Sequence, residues 1–586
     1  MFSQKKMWLI APLLLAISAD AQIVQPNIFI RITQPRKNLV DVIDSRQYIA
    51  GSTCKACVLT LNGELVKVYP TGAFAIQLDL LPGDTMFNLE ASLPQGGKFD
   101  QRLYYHFVPP PPAQADTVLT ISSIITYPRG NLELSPGDII RIRVKGLPGC
   151  NAQWLDHQPL YELPPDQAGG IGGIYQGEYT VRKNDSALLE HAAVTLTDSN
   201  GQQVSRRCPY RLSLIAATMP LVGMTIGPFP YLVYGLGKDR LGAAKMGYLD
   251  TAVLLHITGM VNDEYKVELS ADHTAYIPAE NVQLLPPGTF VPHALTASWD
   301  VYGQGRFDYV KVGLGEKLPY SSDEQPDPSR IIVNIYGASS NTSWITQMLN
   351  VREIKSVYYE QPESDVFRIY IELKHPLCWG YRIYYEGTSL VIQVKHPPEP
   401  AVLSHLRIAI DPGHGGSNLG ALSPTGVYEK ELTLDVAFDL KADLEKAGAA
   451  VFMTRTNDIT LDMIPRLLML QKDNPDLMVS IHMNASADPI HIRGTSTYYR
   501  YPGFRPLSKA IYDRMVQLGL HGFGNIGSFN FALNGPTDYP NALVEALFIT
   551  NPGDEMKILD PAFRQKVAAA IMAGIQDYLA LSQPVP

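Results

Sequence analysis

Charge is sparse in this chain. Lys, Arg, Asp and Glu make up 18% of its 586 residues, the net charge is −9, and Lys and Arg never gather into a long run. Neutralising a phosphate backbone needs clustered cations, so nucleic acid is not an expected partner, and a polymer without dense phosphate fits better. Past the first residues, no stretch approaches the twenty uninterrupted apolar positions of a membrane-crossing helix. Cysteine is limited to Cys54, Cys57, Cys150, Cys208 and Cys378. Cys54 and Cys57 have no second pair nearby to make a zinc knuckle, and their strand-like surroundings do not suit a thioredoxin-like redox motif. In an exported chain they can close a tight local bridge, and Cys150 with Cys208 a longer one, leaving Cys378 as a buried thiol. A metalloprotease helix of the form His-Glu-x-x-His is also absent.

What is present points to several domains. The length exceeds one ordinary core, and 45 Pro with 46 Gly imply many turns and short elements. Lys5 and Lys6, the apolar run at 7–17 and Ala19-Asp20-Ala21 make residues 1–21 an expected cleavable export signal. No Cys follows the cleavage site, so no lipid anchor is expected there. The mature chain is expected in the periplasm or outside the cell, without a transmembrane segment.

Between 22 and 400 the pattern is one of short strands. Segments 28–32, 57–61, 65–69 and 73–78, with Asn62-Gly63 as a hairpin turn, predict a β-sandwich over 22–110. Pro109 to Pro112 form a stiff linker to a second β-module at 115–216. Strands near 231–234, 251–257, 264–269 and 273–277 predict a small barrel at 219–288, and another β-module follows at 290–398. Pro397-Pro398-Glu399-Pro400 marks the next boundary.

From 402 to 582 the period changes. Leu432, Val436, Leu440 and Leu444 recur at helical spacing; 463–471, 504–518 and 561–579 also read as helices, while 406–410, 450–454, 477–481 and 542–549 read as strands. Such alternation predicts an α/β domain with a parallel-rich sheet. Asp411-Pro412-Gly413-His414-Gly415-Gly416 puts a histidine on a sharp turn past the first strand, where open α/β sheets bind ligands. Glu429 lies just before a helix, His482 follows the strand at 477–481, and Glu545 sits inside the apolar run 543–548. A carboxylate there carries a large desolvation cost unless a cation or hydrogen bonds offset it. Two imidazoles and one carboxylate form a hydrolytic zinc set, and a further carboxylate can move the protons of amide hydrolysis.

These residues fall in motifs. Asp411-Pro-Gly-His414-Gly-Gly, Gly426-Val-Tyr-Glu429-Lys430, Thr454-Arg455 with Asp458, Ser480-Ile-His482-Met-Asn484-Ala485, and Leu543-Val-Glu545 with Phe548 and Asn551 stand in order. Together they resemble the zinc-dependent N-acetylmuramoyl-L-alanine amidases over about 405–580. The resemblance implies His414, Glu429 and His482 as ligands of Zn²⁺ and Glu545 as the catalytic glutamate. It also implies peptidoglycan or its fragments as partner, with a protein activator left open. The upstream regions resemble Ig-like modules at 22–110, a bacterial SH3-like domain at 219–288, and at 290–398 the AMIN-type β-modules that precede some cell-wall amidases. The expected whole is a multidomain chain of all-β modules, Ig-like sandwiches and an SH3-like barrel among them, ahead of an α/β zinc hydrolase domain. Arg455 and Asp458 read as a structural pair near the site, Asn484 as a residue that orients His482 or contacts substrate, and His491 and His521 as surface residues. Two departures stand out: Leu470-Gln471 replaces a usual Ala-Asn pair, and Leu547 stands where Gly is usual. Competing functions are an inactive wall-binding scaffold and a zinc peptidase acting within the stem peptide.

Overall fold

The computed structural model describes residues 27–155, 157–215, 219–237 and 239–582. The expected export signal at 1–21 lies outside the described residues. Among those described, no helix is long and apolar enough to cross a membrane.

The N-terminal region is two facing sheets. Ile30–Gln34, Arg46–Thr53 and Ala73–Asp79 form one; Leu39–Val42, Val58–Leu61, Glu64–Val66, Gly83–Ser92 and Lys98–Phe107 form the other. Alternate residues point inward, so Ile49, Phe74, Leu59, Leu89 and Leu103 close a dry core between them. Asn62 and Gly63 both adopt left-handed φ angles, 49° and 89°, which turns the hairpin with the twist of its strands. Cys54 and Cys57 are disulfide-bonded, whereas Cys150, Cys208 and Cys378 are free thiols.

Residues 121–207 contribute a seven-stranded sheet. Two short strands, Leu132–Leu134 within this stretch and Leu212–Leu214 just after it, instead extend the ladder of Leu254–Val261, making a nine-stranded sheet with the region that follows. The chain between 216 and 219 therefore separates two segments that share backbone hydrogen bonds. Residues 294–395 add a five-stranded and a four-stranded sheet, whose inner faces share one hydrophobic core with the strands between 221 and 284.

The C-terminal region is built from β1 (Arg407–Pro412), α1 (Glu429–Lys446), β2 (Ala450–Met453), α2 (Met463–Asp473), β3 (Leu477–Asn484), β4 (Thr495–Tyr498), α3 (Arg505–Val516), β5 (Gly522–Ile526), β6 (Asn541–Phe548), α4 (Pro552–Ile558) and α5 (Pro561–Leu581). The sheet order is β2-β1-β3-β6-β4-β5, and each neighbouring pair is parallel except β4 with β6. Leu432, Val436, Leu440 and Leu444 give α1 one buried stripe, which packs with α3, α5 and the apolar residues of β1, β3 and β6. Pro465 is harmless because it stands in the first turn of α2, where no intrahelical amide bond is lost. Asn551 caps α4 by accepting from Gly553 N and Asp554 N.

Upstream regions touch this domain directly. Arg31 Nη1 donates to Thr425 O (2.7 Å), Gln34 Nε2 to Ala487 O (2.8 Å) and Tyr48 OH to Asp488 Oδ2 (2.8 Å). From the nine-stranded sheet, the Ala243 carbonyl accepts from Asn530 Nδ2 (2.8 Å) and the Lys245 carbonyl from Arg500. Leu470 packs with Leu467, Met478 and Tyr539 against Phe229 and Tyr248 of that sheet. The unusual Leu470 thus answers to an interdomain contact, and Leu547 is fully buried in the catalytic-domain core.

Candidate metal centre

Strand register brings the site together. Pro412 on β1 pairs with Ile481 on β3, and His482 on β3 pairs with Glu545 on β6, so the three strand ends stand side by side. His414 follows β1 in the left-handed region, φ 62°, an uncommon conformation for a residue with a Cβ. Its turn is fixed from behind by two buried arginines. Arg455 donates to the carbonyls of Pro412 (3.0 Å) and Gly413 (2.8 Å), and Arg466 to those of Pro412 (2.9 Å) and His414 (2.6 Å). Arg466 also pairs with Asp411 Oδ1 (2.6 Å), whose carboxylate accepts from Thr454 Oγ1 (2.6 Å) and Ser480 Oγ (2.8 Å) as well. Burial would raise the Asp411 carboxyl, but Arg466 and the hydroxyl donors hold it below the ordinary carboxylate range.

Glu429 is the first residue of α1, where the helix N-terminus favours an anion. Met483 N donates to its Oε1 (2.9 Å) and Ala421 N to its Oε2 (2.8 Å), so the backbone of β3 and of the loop before α1 aims the carboxylate. His414 Nε2 lies 3.1 Å from Oε2, and His482 Nδ1 lies 3.0 Å from Oε1. The donor atoms of His414, Glu429 and His482 all lie within 4.8 Å of one another. Asn418 Oδ1 is 2.8 Å from His414 Nδ1; as an acceptor there it leaves the Nε2 lone pair facing inward. Gly413 permits the close fit, since a Cβ at that position would stand 2.3 Å from the His482 ring. Gly420 does the same on the other side, with Glu429 Oε2 and His414 Cδ2 within 2.8 Å of where its Cβ would be.

The charges match this geometry. Burial pushes the Glu429 carboxyl up, yet its bonds with His414 and His482 outweigh that and hold it well below the usual range. Burial would lower His482, but the Glu429 carboxylate reverses this and carries the imidazole up to about 9. Glu545 is different. Its Oε2 is buried without a hydrogen-bond partner, and burial pushes its carboxyl up to about 7, with His482 and Arg240 acting in the opposite direction. Arg240 belongs to the upstream loop that docks at Asn530.

A family model described as N-acetylmuramoyl-L-alanine amidase matches residues 408–577. The N-acetylmuramoyl-L-alanine amidase AmiC of Escherichia coli O6:H1 is 31% identical, and the match covers 48% of this chain and 88% of that protein. The chain belongs to the N-acetylmuramoyl-L-alanine amidase family. AmiC of Neisseria meningitidis serogroup B is 28% identical over 29% of this chain and 52% of that protein, so the chain spans about half the length of this relative. The probable cell wall amidase LytH of Staphylococcus aureus is 34% identical, covering 33% and 64%. Among solved structures, AmiC2 of Nostoc punctiforme is 28% identical, covering 30% of this chain and 97% of that chain with a TM-score of 0.29.

All four residues singled out by sequence, His414, Glu429, His482 and Glu545, meet at these strand ends. Arg455 and Asp458 do so in a way the sequence did not suggest. They feel each other's charge but make no direct ion pair: Arg455 grips backbone carbonyls, while Asp458 binds Lys430 Nζ (2.6 Å) and accepts from Gly416 N (2.6 Å). Asn484 accepts from Ala485 N (2.8 Å), and His491 is exposed beside Asp488. Glu555, a second carboxylate near the site, accepts at Oε1 from the Thr425 amide (2.9 Å) and hydroxyl (2.6 Å), while its Oε2 is buried without a partner and burial raises its carboxyl. Arg466 and Asn418 escaped sequence reasoning; an arginine on the apolar stripe of α2 was the available signal for the first.

Proposed function

We propose that this chain is an exported, zinc-dependent amidase that cuts peptidoglycan between the lactyl carbonyl of N-acetylmuramic acid and the L-alanine of the stem peptide. His414, Glu429 and His482 would hold the ion, and the donor set suits it: two imidazole nitrogens and one carboxylate, converging from separate elements. Zinc there supplies Lewis acidity, polarising the amide carbonyl and making water a nucleophile at neutral pH. Asn418 and the amides of Met483 and Ala421 keep the donors aimed.

The observation that carries the reading is Glu545. Its unpartnered Oε2, beside His482 and poised near neutrality, can take a proton from attacking water and return it to the leaving amine. A site that only bound its ligand would have no use for a buried carboxylate beside the metal donors. The upstream regions, an Ig-like sandwich at 22–110, a second β-module at 115–216, an SH3-like barrel at 219–288 and an AMIN-like module at 290–398, would hold the catalytic domain at 402–582 on its polymer.

Mass analysis of fragments released from purified peptidoglycan tests this. Free stem peptides beginning at L-alanine are the expected product. Peptides shortened within the stem would reassign the chain as a peptidase, and no release by the zinc-loaded protein would make it a scaffold.

A further inference from the structure

A cavity of about 240 Å³ opens between the N-terminal sandwich and the catalytic domain. Thr33, Gln34 and Arg36 line it from one side, and Ala421, Ala485 and Thr550 from the other. The catalytic-domain wall adjoins the site already described: Ala421 N donates to Glu429 Oε2, Ala485 comes three residues after His482, and Thr550 five after Glu545. The cavity therefore lies against loops that neighbour the site in sequence, on the side of the sheet on which α/β enzymes bind substrate. The opposite wall is held in place, since Gln34 and Tyr48 bond Ala487 and Asp488, and Arg31 bonds Thr425. Thr33 Oγ1 and Gln34 Nε2 donate to the carbonyls of Ala50 and Ala487.

Arg36 is the one charged residue in this lining, and no carboxylate shares the cavity with it. Among the described residues its guanidinium has no hydrogen-bond or ion-pair partner, whereas Arg31, five positions earlier on the same module, is bonded. An unpaired fork of N–H donors at the edge of a cleft suits a planar carboxylate. The stem peptide offers one close to its scissile bond: its second residue, D-glutamate linked through its γ-carboxyl, presents a free α-carboxylate one residue beyond the scissile amide.

We propose that the N-terminal β-module completes the substrate cleft and that Arg36 binds the α-carboxylate of the D-glutamate following L-alanine. The inference rests on the amidase function proposed above and adds a specificity: stems with that carboxylate free are preferred over stems in which it is amidated.

The test uses the full chain loaded with zinc and two synthetic muramoyl tripeptides, muramoyl-L-Ala-γ-D-Glu-L-Lys with the D-Glu α-carboxyl free or amidated. The wild type is expected to show a KM about tenfold lower for the free acid, the size of one charge-assisted hydrogen bond. Arg36→Ala should raise that KM about tenfold and erase the preference. Lys37→Ala, which removes a neighbouring charge from outside the cavity, should keep it. Equal preference in the wild type and Arg36→Ala overturns the proposal. Calorimetric titration of the released tripeptide separates this from the function itself. If neither muramoyl substrate is cut, the amidase reading fails, while a roughly tenfold weaker Kd for Arg36→Ala than for the wild type still upholds the pocket and equal affinities refute it.

Discussion

Asp411 and Glu545 are carboxylates buried on strands of one sheet, the first near the end of β1 and the second inside β6, and they stand in opposite conditions. Asp411 accepts from Arg466, Thr454 and Ser480 and stays ionised; Glu545 has an oxygen with no donor and is pushed up to about 7. Both lose hydration, but the chain compensates only the first. A carboxylate tied on three sides can position its neighbours and little else, whereas one left bare is free to exchange a proton. In the proposed reading the Asp411 end is scaffold, and Glu545 keeps its capacity to exchange a proton because its Oε2 has no donor.

The comparison breaks most visibly at the ligands. His414→Ala should lose both bound zinc and activity to the assay floor, and undiminished zinc by elemental analysis would contradict the ligand set. Glu545→Gln comes next. It keeps shape and removes the proton carrier, so turnover should fall about 10²- to 10⁴-fold while zinc content is unchanged. Retained turnover would mean that the bare carboxylate is not the base.

Arg466→Met attacks the scaffold end instead. Removing the cation leaves Asp411 buried and half-satisfied and frees the carbonyls of Pro412 and His414. The expected cost is about 3–5 kcal/mol in denaturant unfolding, because breaking a buried pair strands the remaining charge. Asp411→Asn in the same chain should recover part of that loss. If the single variant unfolds like the wild type, Asp411 is not held in the way its contacts indicate.

How much of this was legible beforehand follows from the same physics. The four site residues could be read because each interrupts a strong local pattern: a histidine among glycines, a carboxylate at a helix start, a histidine after an apolar strand, a glutamate inside one. The helices α1, α2, α3 and α5 showed through their apolar spacing. β4 and β5 did not, since Thr495-Ser-Thr-Tyr498 and Gly522-Phe-Gly-Asn-Ile526 lack the apolar alternation that marks strands and acquire it only from neighbours. α4 is seven residues long and depends on its Asn551 cap. The sharing of strands Leu132–Leu134 and Leu212–Leu214 across the 216–219 boundary has no local signal, because a strand's sequence does not name the sheet it joins. Arg455 looked like half of an ion pair because sequence shows charges and not the carbonyls that occupy them.

Glu324 sharpens the contrast from a different part of the molecule. It lies on the strand Tyr320–Pro326, packed against Gly503, whose backbone amide acts on it weakly while neither oxygen makes a well-formed hydrogen bond, and no metal-ligating group forms around it among the described residues. Burial pushes its carboxyl from 4.5 up to about 8. A raised pKa means that the folded protein holds this proton more tightly than the unfolded chain. The stabilising effect is complete below about 4.5 and is lost as pH rises through about 8, at most about 1.4 kcal/mol for each unit between. Glu324→Gln keeps the neutral shape and has no proton to lose. Its stability relative to the wild type should therefore grow by roughly 2–3 kcal/mol from pH 5.5 to 7.5, read as diverging denaturation midpoints. Parallel curves would show that burial alone does not raise a bare carboxylate in this fold. In that case the condition of Glu545 would have to come from the neighbouring Glu429 carboxylate, whose charge also pushes it up.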